Sequence, residues 1–510
     1  MYIKLMLFVS VLTFFQVCDS AKILAIVPSA SYSHQVAFRS IWRELSLRGH
    51  QITLATTDPI NDPKLVNLTE IDLSYSYKIW NKNLKEVTQS NIIKSMLLMV
   101  EAIHTIGEYQ LAHPLVQELI KNDQQTFDLV MVEFSMGAYF AFGYRFNCPT
   151  IFVTSINIMN SLSYYIGNPN HPIVYPELFY PNTETVMDRV IVILYEIFMY
   201  CLNIFYITPT QQKLIYKHFG ADYPPFQDMA FNASLVLTNS DPVFHKIRPL
   251  VPSVIQIGGG AYREPGKPLP KDLKDTLDSA KEGFIYFSLG SNVKSKDLSE
   301  QTRNVILETF RELPYTVLWK FELDDLPNKP KNVITSKWLS QARVLSHPNV
   351  KLFITQGGLQ SMEEAIYNHV PFLVMPFFGD QELNSKKIVQ KGFGLSVDYK
   401  TLTKEHFMEN ILEVINNPKY KNRVKELADL ASDEPMNGIE KAVWWTEYVI
   451  RHKGARHLRS PLLDIPTYQY YLLDVIAVFA VIVVVIVCLF IIVLKFVAKV
   501  IFKKSKVKVS

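Results

Sequence analysis

Residues 338–381 read WLSQARVLSHPNVKLFITQGGLQSMEEAIYNHVPFLVMPFFGDQ, and the apolar runs broken by turns in this stretch point to a parallel α/β sheet. Leu352 to Thr355 is a short apolar run of strand character that stops at Gln356-Gly357-Gly358, where the chain must turn. A helix is expected to start near Leu359. The paired glycines let backbone come close to a ligand, and the free N–H groups and positive dipole end of that helix suit a pyrophosphate. Gln360 and Ser361 add side-chain donors there. Glu364 lies about one turn further on, where a carboxylate can accept hydrogen bonds from both hydroxyls of a ribose. Trp338 offers a flat face for a uracil ring. Pro371 to Pro376 reads as the next buried strand and Phe377-Phe378-Gly379-Asp380-Gln381 as the loop leaving it. Neighbouring parallel strands exit at one edge, so Gln356, Asp380 and Gln381 should face one crevice. A carboxylate beside a carboxamide suits sugar hydroxyls. Singly, a Gly-Gly turn is usually only a turn and a lone Trp is usually core; the joint spacing is what calls for a nucleotide sugar.

The N-terminal half shows the same order. Lys22 to Pro28 reads as a first buried strand, a Ser-rich loop carries His34, and Phe38, Ile41, Trp42, Leu45 and Leu47 recur at helical spacing. Gly49 stops that helix, and Gln51 to Ala55 reads as a second strand. This is a doubly wound start, which puts His34 at the ligand edge of the first strand, although an isolated His is more often a hydrogen-bonded surface or cap residue. Asn91 to Leu119 reads as helix and Phe127 to Val132 as a strand ending at Glu133. If that strand is parallel to the first, Glu133 emerges near His34 and can hold its imidazole; the plain alternative is a salt-bridged strand-end carboxylate.

The stretch from Trp338 to Gln381 resembles, without a gap, the donor-binding signature of the UDP-glycosyltransferases, the family of animal glucuronosyltransferases and plant and insect glucosyltransferases. The likeness extends more loosely over nearly the whole chain. It implies two doubly wound, Rossmann-like α/β domains facing a crevice, the GT-B arrangement. It also implies that Trp338 and Gln341 hold the uridine, Glu364 the ribose, Gln360 and Ser361 the phosphates, and Asp380 with Gln381 the sugar. Gln356, Gly358 and Ser291, the last in the loop after a strand at Phe284 to Leu289, complete the donor set. His34 takes the catalytic-base position, and Glu133 stands where many relatives carry Asp. Two positions depart from the pattern: many members have His in place of Gln356, and Ser340 replaces a frequent Pro. The QGGLQS wording resembles the insect branch.

The implied reaction is inverting transfer of a sugar, glucose favoured over glucuronate, from a UDP-sugar to a hydroxyl of a small lipophilic acceptor such as a phenol, polyketide or steroid-like compound. There is no Asp-x-Asp and no paired His or Cys spacing, so neither a metal nor another cofactor is expected. The competing reading is a membrane protein that holds a nucleotide sugar without transferring it, since fold does not fix function. The pair His34 and Glu133 discriminates between them.

With 510 residues, two related domains are expected: 21–257 for the acceptor and 274–455 for the donor, joined by a Gly- and Pro-rich linker at 258–273. A formal charge of +4 gives no argument for nucleic acid, and much of the excess lies in the C-terminal tail. Residues 1–20 read as a secretory signal, with one basic group and an apolar run from Leu5 to Phe15. After a juxtamembrane segment at 456–474, Val475 to Leu494 is an uncharged apolar run of twenty residues. At about 1.5 Å per residue it spans the ~30 Å hydrocarbon layer. Lysines in the tail, 495–510, place that tail in the cytosol and the domains in the lumen. Lys506 and Lys508 resemble a dilysine retrieval signal, so a single-pass protein of the endoplasmic-reticulum membrane is expected, with the lipid bilayer and a further copy of the chain as partners beside its substrates. Asn67-Leu68-Thr69 and Asn232-Ala233-Ser234 are glycosylation sequons. Cys148 and Cys201 read as free, buried thiols, with a disulfide between them left open.

The stretch from Ser155 to Ile207 is rich in aromatics, including Tyr164, Tyr165, Tyr175, Phe179, Tyr180, Phe198 and Phe205. It reads as an acceptor pocket or as core. Val190 to Ile207 is nearly long enough to span, but Glu196 interrupts it, and crossing there would separate the halves that share the crevice. It reads as a pocket or membrane-surface helix.

Overall fold

The computed structural model describes residues 20–90, 92–176, 183–245, 247–258 and 266–507. The signal-like residues before Ser20, Phe179, Tyr180, residues 259–265 of the linker and Lys508 lie outside them. One compact body ends at Leu458 and a second runs Arg459–Ser510.

Two parallel sheets form the first body. Strands β1 (Lys22–Val27), β2 (Gln51–Thr56), β3 (Leu68–Asp72), β4 (Leu129–Glu133), β5 (Thr150–Thr154), β6 (Leu235–Thr238) and β7 (Val254–Gln256) assemble in the order 3-2-1-4-5-6-7. Strands β8 (Phe284–Ser288), β9 (Thr316–Lys320), β10 (Val333–Ser336), β11 (Val350–Thr355), β12 (Phe372–Val374) and β13 (Gly394–Ser396) follow as 10-9-8-11-12-13. All pairings are parallel. Central strands such as β4, β5 and β8 are buried along their whole length, as continuous apolar runs require when helices cover both faces.

Sheet order decides where function sits. In the first sheet the winding reverses between β1 and β4, and in the second between β8 and β11; each reversal opens a crevice at the carboxyl ends of the two strands. His34 follows β1 in the helix Tyr32–Leu47, and Glu133 is the last residue of β4. Gly290 follows β8, and Gln356 follows β11.

The last helix of this body, Gly438–His452, packs back on the first domain: Ala442, Val443 and Val449 share a core with Ile23, Phe38, Trp42 and Leu237. Glu447 on it meets Arg48 at 3.3 Å and His50 at 3.5 Å. The helix is fixed at its start by Asn437, whose side chain accepts from the Ile439 and Glu440 amides.

Some expectations are corrected. The stretch from Asn91 to Leu119 is two helices, Ile92–Leu111 and Pro114–Lys121, because Pro114 lacks the N–H that would continue the first and suits the start of the second. Cys148 and Cys201 are unpaired thiols, as expected, but Cys201 is exposed and Cys148 half-buried. Of the aromatics read as pocket lining, Tyr165 and Tyr175 are buried while Tyr164 and Phe205 are exposed. The apolar stretch near residue 190 is the helix Val186–Leu202, which continues through a wide turn at Asn203–Ile207 into Thr208–His218. Only Val192 of its first part is buried, and Glu196 accepts from Asn160 at 2.6 Å.

The second body is dominated by the helix Leu473–Val507, whose segment Leu473–Val500 is long and apolar enough to cross a membrane. Helix 186–218 meets the same criterion of length and composition.

Candidate active site between the two sheets

His34 and Glu133 meet directly at the first crevice, Nδ1 against Oε1. The second carboxylate oxygen accepts from the Ser29 amide at 3.3 Å and from the Ser135 hydroxyl at 3.2 Å. Glu133 is therefore held from both sides, and its greater length relative to Asp does not prevent the pairing. Burial disfavours the charged imidazole, but the charge and hydrogen bond of Glu133, with a smaller contribution from Asp380, win and raise the His34 pKa. Burial likewise pushes the Glu133 carboxyl up, and the charge and hydrogen bond of His34, with the hydrogen bonds of Ser29, more than reverse this, leaving it below the usual value. The arrangement leaves Nε2 of His34 to take a proton from a group in the crevice. Asp380 follows a strand of the other sheet, and its charge favours the imidazolium of His34.

On the second sheet the helix Leu359–Tyr367 begins at the predicted residue, with Gly358 as its cap. Gly357 lies at φ +85°, a left-handed conformation that only glycine adopts freely. Gly290 lies at φ +79°, and a Cβ on it would come within 2.2 Å of Nε2 of the buried Gln356. The two strand exits are thus pressed together, with Gln356 held by the Thr355 hydroxyl at 3.0 Å. Ser291 and Asn292 extend this loop to the first domain, where Asn292 donates to the Ser31 hydroxyl at 3.3 Å.

Gln341, Ser361 and Glu364 form one cluster. The Gln341 amide donates to the Ser361 hydroxyl at 2.9 Å and to the Glu364 carboxylate at 2.5 Å, while the Tyr286 hydroxyl donates back to the Gln341 carbonyl at 3.3 Å. Burial raises the Glu364 pKa to about 7 against the pull of the Gln341 hydrogen bond. Trp338 is 56% exposed, as a stacking surface needs to be. The Tyr32 ring packs edge-on against it, centroids 5.1 Å apart, and the Lys320 ammonium lies 5.5 Å from its centre. Tyr32, two residues before His34, thereby reaches from the first sheet to Trp338 of the second; its position next to the His was the available signal, and sequence reasoning passed over it.

Two glutamines of the expected donor set have partners within the protein. Gln360, expected at the phosphates, donates to the Ser155 carbonyl of the first domain at 2.9 Å. Gln381, expected at the sugar, accepts the Phe377 and Phe378 amides at 2.9 and 3.1 Å through its carbonyl oxygen, leaving its NH2 group to offer. Asp380 accepts from Asn384 at 2.8 Å, one helical turn along, and the same amide reaches the Gly357 carbonyl at 3.0 Å. Asn384 was also not foreseen. Asn67 is half-buried and donates to the Ser46 carbonyl at 3.4 Å, whereas Asn232 is exposed. Among the described residues no three or more His, Cys, Asp or Glu side chains converge in a way that could hold a metal ion.

Solved structures share this architecture. One is TcCGT1, crystallised in complex with UDP, with a TM-score of 0.58 and 14% identity over 85% of this chain and 100% of that one. Another is CalG4, the calicheamicin glycosyltransferase, with a TM-score of 0.53 and 15% identity over 85% and 99%. The fold is accordingly GT-B. Sequence relatives are closer. UDP-glycosyltransferase UGT5 of Dactylopius coccus is 34% identical, covering 92% of this chain and 91% of its own, and UDP-glucosyltransferase 2 of the same insect is 33% identical, covering 94% and 93%. UDP-glucuronosyltransferase 1A3 of Rattus norvegicus is 31% identical, covering 87% and 86%. Residues 21–508 match the family described as "UDP-glucoronosyl and UDP-glucosyl transferase". With a donor helix, a paired His and Glu, and a family match along nearly its full length, this chain belongs to the UDP-glycosyltransferases, enzymes that transfer sugars from UDP-sugars.

Proposed function

We propose that the chain transfers glucose, with inversion, from UDP-glucose to a hydroxyl of a small lipophilic acceptor. The observation that carries this reading is the direct pairing of His34 with Glu133 at a crevice where the two sheets' loops meet, Tyr32 against Trp338 and Asn292 on Ser31. His34 acts as general base on the acceptor hydroxyl, whose oxygen attacks the anomeric carbon as the bond to UDP breaks. Trp338 stacks on the uracil, with Gln341 beside it. Glu364 accepts from the ribose hydroxyls. The start of the helix Leu359–Tyr367, with Ser361, Gln356 and the Gly358 amide, meets the charge that develops on UDP, so the reading calls for no metal. Asp380 and the amide of Gln381 hold the sugar. Glucose is preferred because the donor wording is insect-like and one insect relative is named a glucosyltransferase.

The apolar run in the helix Leu473–Val507 and the lysines after it support a single-pass protein of the endoplasmic-reticulum membrane, with both sheets in the lumen and the sequons of Asn67 and Asn232 on that side, the exposed Asn232 the more accessible. The exposed apolar residues of Val186–Leu202, including Val190, Leu194 and Ile197, suit the membrane surface. Membranes carrying the protein, incubated separately with UDP-glucose and UDP-glucuronate and a panel of phenols, polyketides and steroids, should yield a product heavier by one hexose. Products only from UDP-glucuronate would overturn the choice of sugar, and none from any pair would favour a binding protein.

A further inference from the structure

We propose that Lys387 is a positioning residue for the donor sugar: acting through Asn384, it fixes the carboxylate of Asp380 so that one oxygen is engaged and the other is left for a sugar hydroxyl. The helix Gln381–Lys391 supplies the geometry. Asp380 caps it, Asn384 sits one turn along, and Lys387 three residues further, all on one face. The Lys387 ammonium lies 3.4 Å from the Asn384 carbonyl oxygen. With that oxygen taken by a cation, the Asn384 NH2 group must face the other way, where it donates at once to Asp380 Oδ2 at 2.8 Å and to the Gly357 carbonyl at 3.0 Å. A flipped amide would set its oxygen against both a carboxylate and a carbonyl. Lys387 thus reinforces the amide orientation that these two acceptors favour, and the amide ties Asp380 to the glycine turn that precedes the donor helix.

Electrostatics point the same way. Burial holds the Asp380 carboxyl above its usual value, and the Asn384 hydrogen bond and then the charge of Lys387 pull against it. Lys387 itself is lowered to about 8, chiefly by burial; Asp380 and Glu363 favour its charge, and Arg248 and Lys391 oppose it. His34, across the crevice, also lowers Asp380. At neutral pH the ammonium is the form present, and its charge favours the ionised form of Asp380. A lysine placed there only to fill space would not need its charge.

Lys387 can position the sugar only if Asp380 holds it, so Asp380→Asn is measured beside the lysine variants. The readout is the ratio of dissociation constants for UDP and UDP-glucose on the full-length chain in membranes, followed as the pH is lowered from neutral. Lys387→Met should weaken UDP-glucose by roughly three- to tenfold, with UDP unchanged, as for the loss of one hydrogen-bonded link. The loss should deepen as pH falls, because Asp380 without its cation takes up a proton earlier. Lys387→Arg should restore both the ratio and its pH dependence. An unchanged ratio in Lys387→Met, or equal weakening of both ligands, overturns the role, provided Asp380→Asn lowers the ratio. If Asp380→Asn leaves the ratio unchanged, the assignment of the sugar to Asp380 fails first, and the role of Lys387 fails with it. Should Lys387→Met not accumulate, Lys387→Gln, which keeps a donor and loses the charge, must show the same pH dependence.

Discussion

Nδ1 of His34 is bonded to Oε1 of Glu133, although the residues stand 99 positions apart, because β1 and β4 are neighbours whose carboxyl ends flank the reversal in the first sheet. Glu133 is buried and held by Ser29 and Ser135, so its charge acts on the imidazole with little screening. Its presence raises the His34 pKa, and the base is active only when deprotonated. The acid limb of kcat/KM should lie above the ordinary imidazole value of about 6.5. Glu133→Gln removes the charge that favours imidazolium, so the limb should move to lower pH while the plateau falls. A pH–rate profile checks both signs; a limb that stays in place would detach Glu133 from His34.

His34→Ala should lower turnover on an aliphatic alcohol by about 10²–10⁴-fold, the usual contribution of a general base. UDP affinity should be nearly unchanged, because the donor groups belong to the second sheet. On an acidic phenol, which ionises without help, the loss should be much smaller. Single-turnover rates with the two acceptors make the comparison.

Glu364 gives a separate pH dependence. Its pKa is raised to about 7 by burial, and a ribose is best held by the carboxylate. UDP must therefore displace a proton below that pH, and its affinity should fall as the solution is acidified through about 7. Glu364→Gln should bind UDP more weakly at high pH and show a flat profile. Glu364→Ala should cost about 1.5–3 kcal/mol at high pH, as for hydrogen bonds to a charged group. Calorimetry at several pH values tests these together.

How much of this was legible depends on whether local sequence or tertiary contact sets each feature. The start of the helix at Leu359 could be read because an apolar run, two glycines and a helical pattern meet there. The approach of His34 and Glu133 could be read because a doubly wound order brings alternate strand exits together. Strand β3 was missed: LTEID is polar, half-exposed and lies at the sheet edge, so it lacks the apolar run that marks its neighbours. Strand β13 is three residues long and carries no periodic signal. The glutamines show a different limit. A carboxamide donates and accepts equally well, so Gln360 bonding to Ser155 and Gln381 to its own loop depend on backbone groups that no spacing predicts. Lys387 was invisible for a similar reason, since a lysine on a polar helix is ordinarily solvated.

Topology has its own test. With Leu473–Val500 spanning and lysines beyond it, protease added to sealed microsomes should trim only the tail and leave a fragment nearly as large as the whole protein. Detergent should make the fragment accessible. Degradation of the bulk in sealed vesicles would reverse the orientation.

The turn at Gly290 offers a test of how tightly the donor crevice is built. Gly290 and Gly392 both lie in the left-handed region, at φ +79° and +76°, so alanine at either carries a conformational cost. At Gly392, which ends the helix Gln381–Lys391, nothing lies within 4 Å of an added Cβ, and the cost is that of the backbone alone, about 1 kcal/mol. At Gly290 the Cβ also meets Gln356 at 2.2 Å, and the Gly290 carbonyl is held by Lys320 at 2.9 Å, so the backbone is not free to move away. Gln356 must swing out, taking with it a group at the mouth of the donor helix. Gly290→Ala should therefore lower the melting temperature more than Gly392→Ala and should also weaken UDP, whereas Gly392→Ala should leave UDP affinity unchanged. Thermal unfolding with and without UDP separates the two: the stabilisation by UDP should shrink in Gly290→Ala and persist in Gly392→Ala. Equal stabilisation in both would mean that Gln356 does not contribute to the nucleotide site.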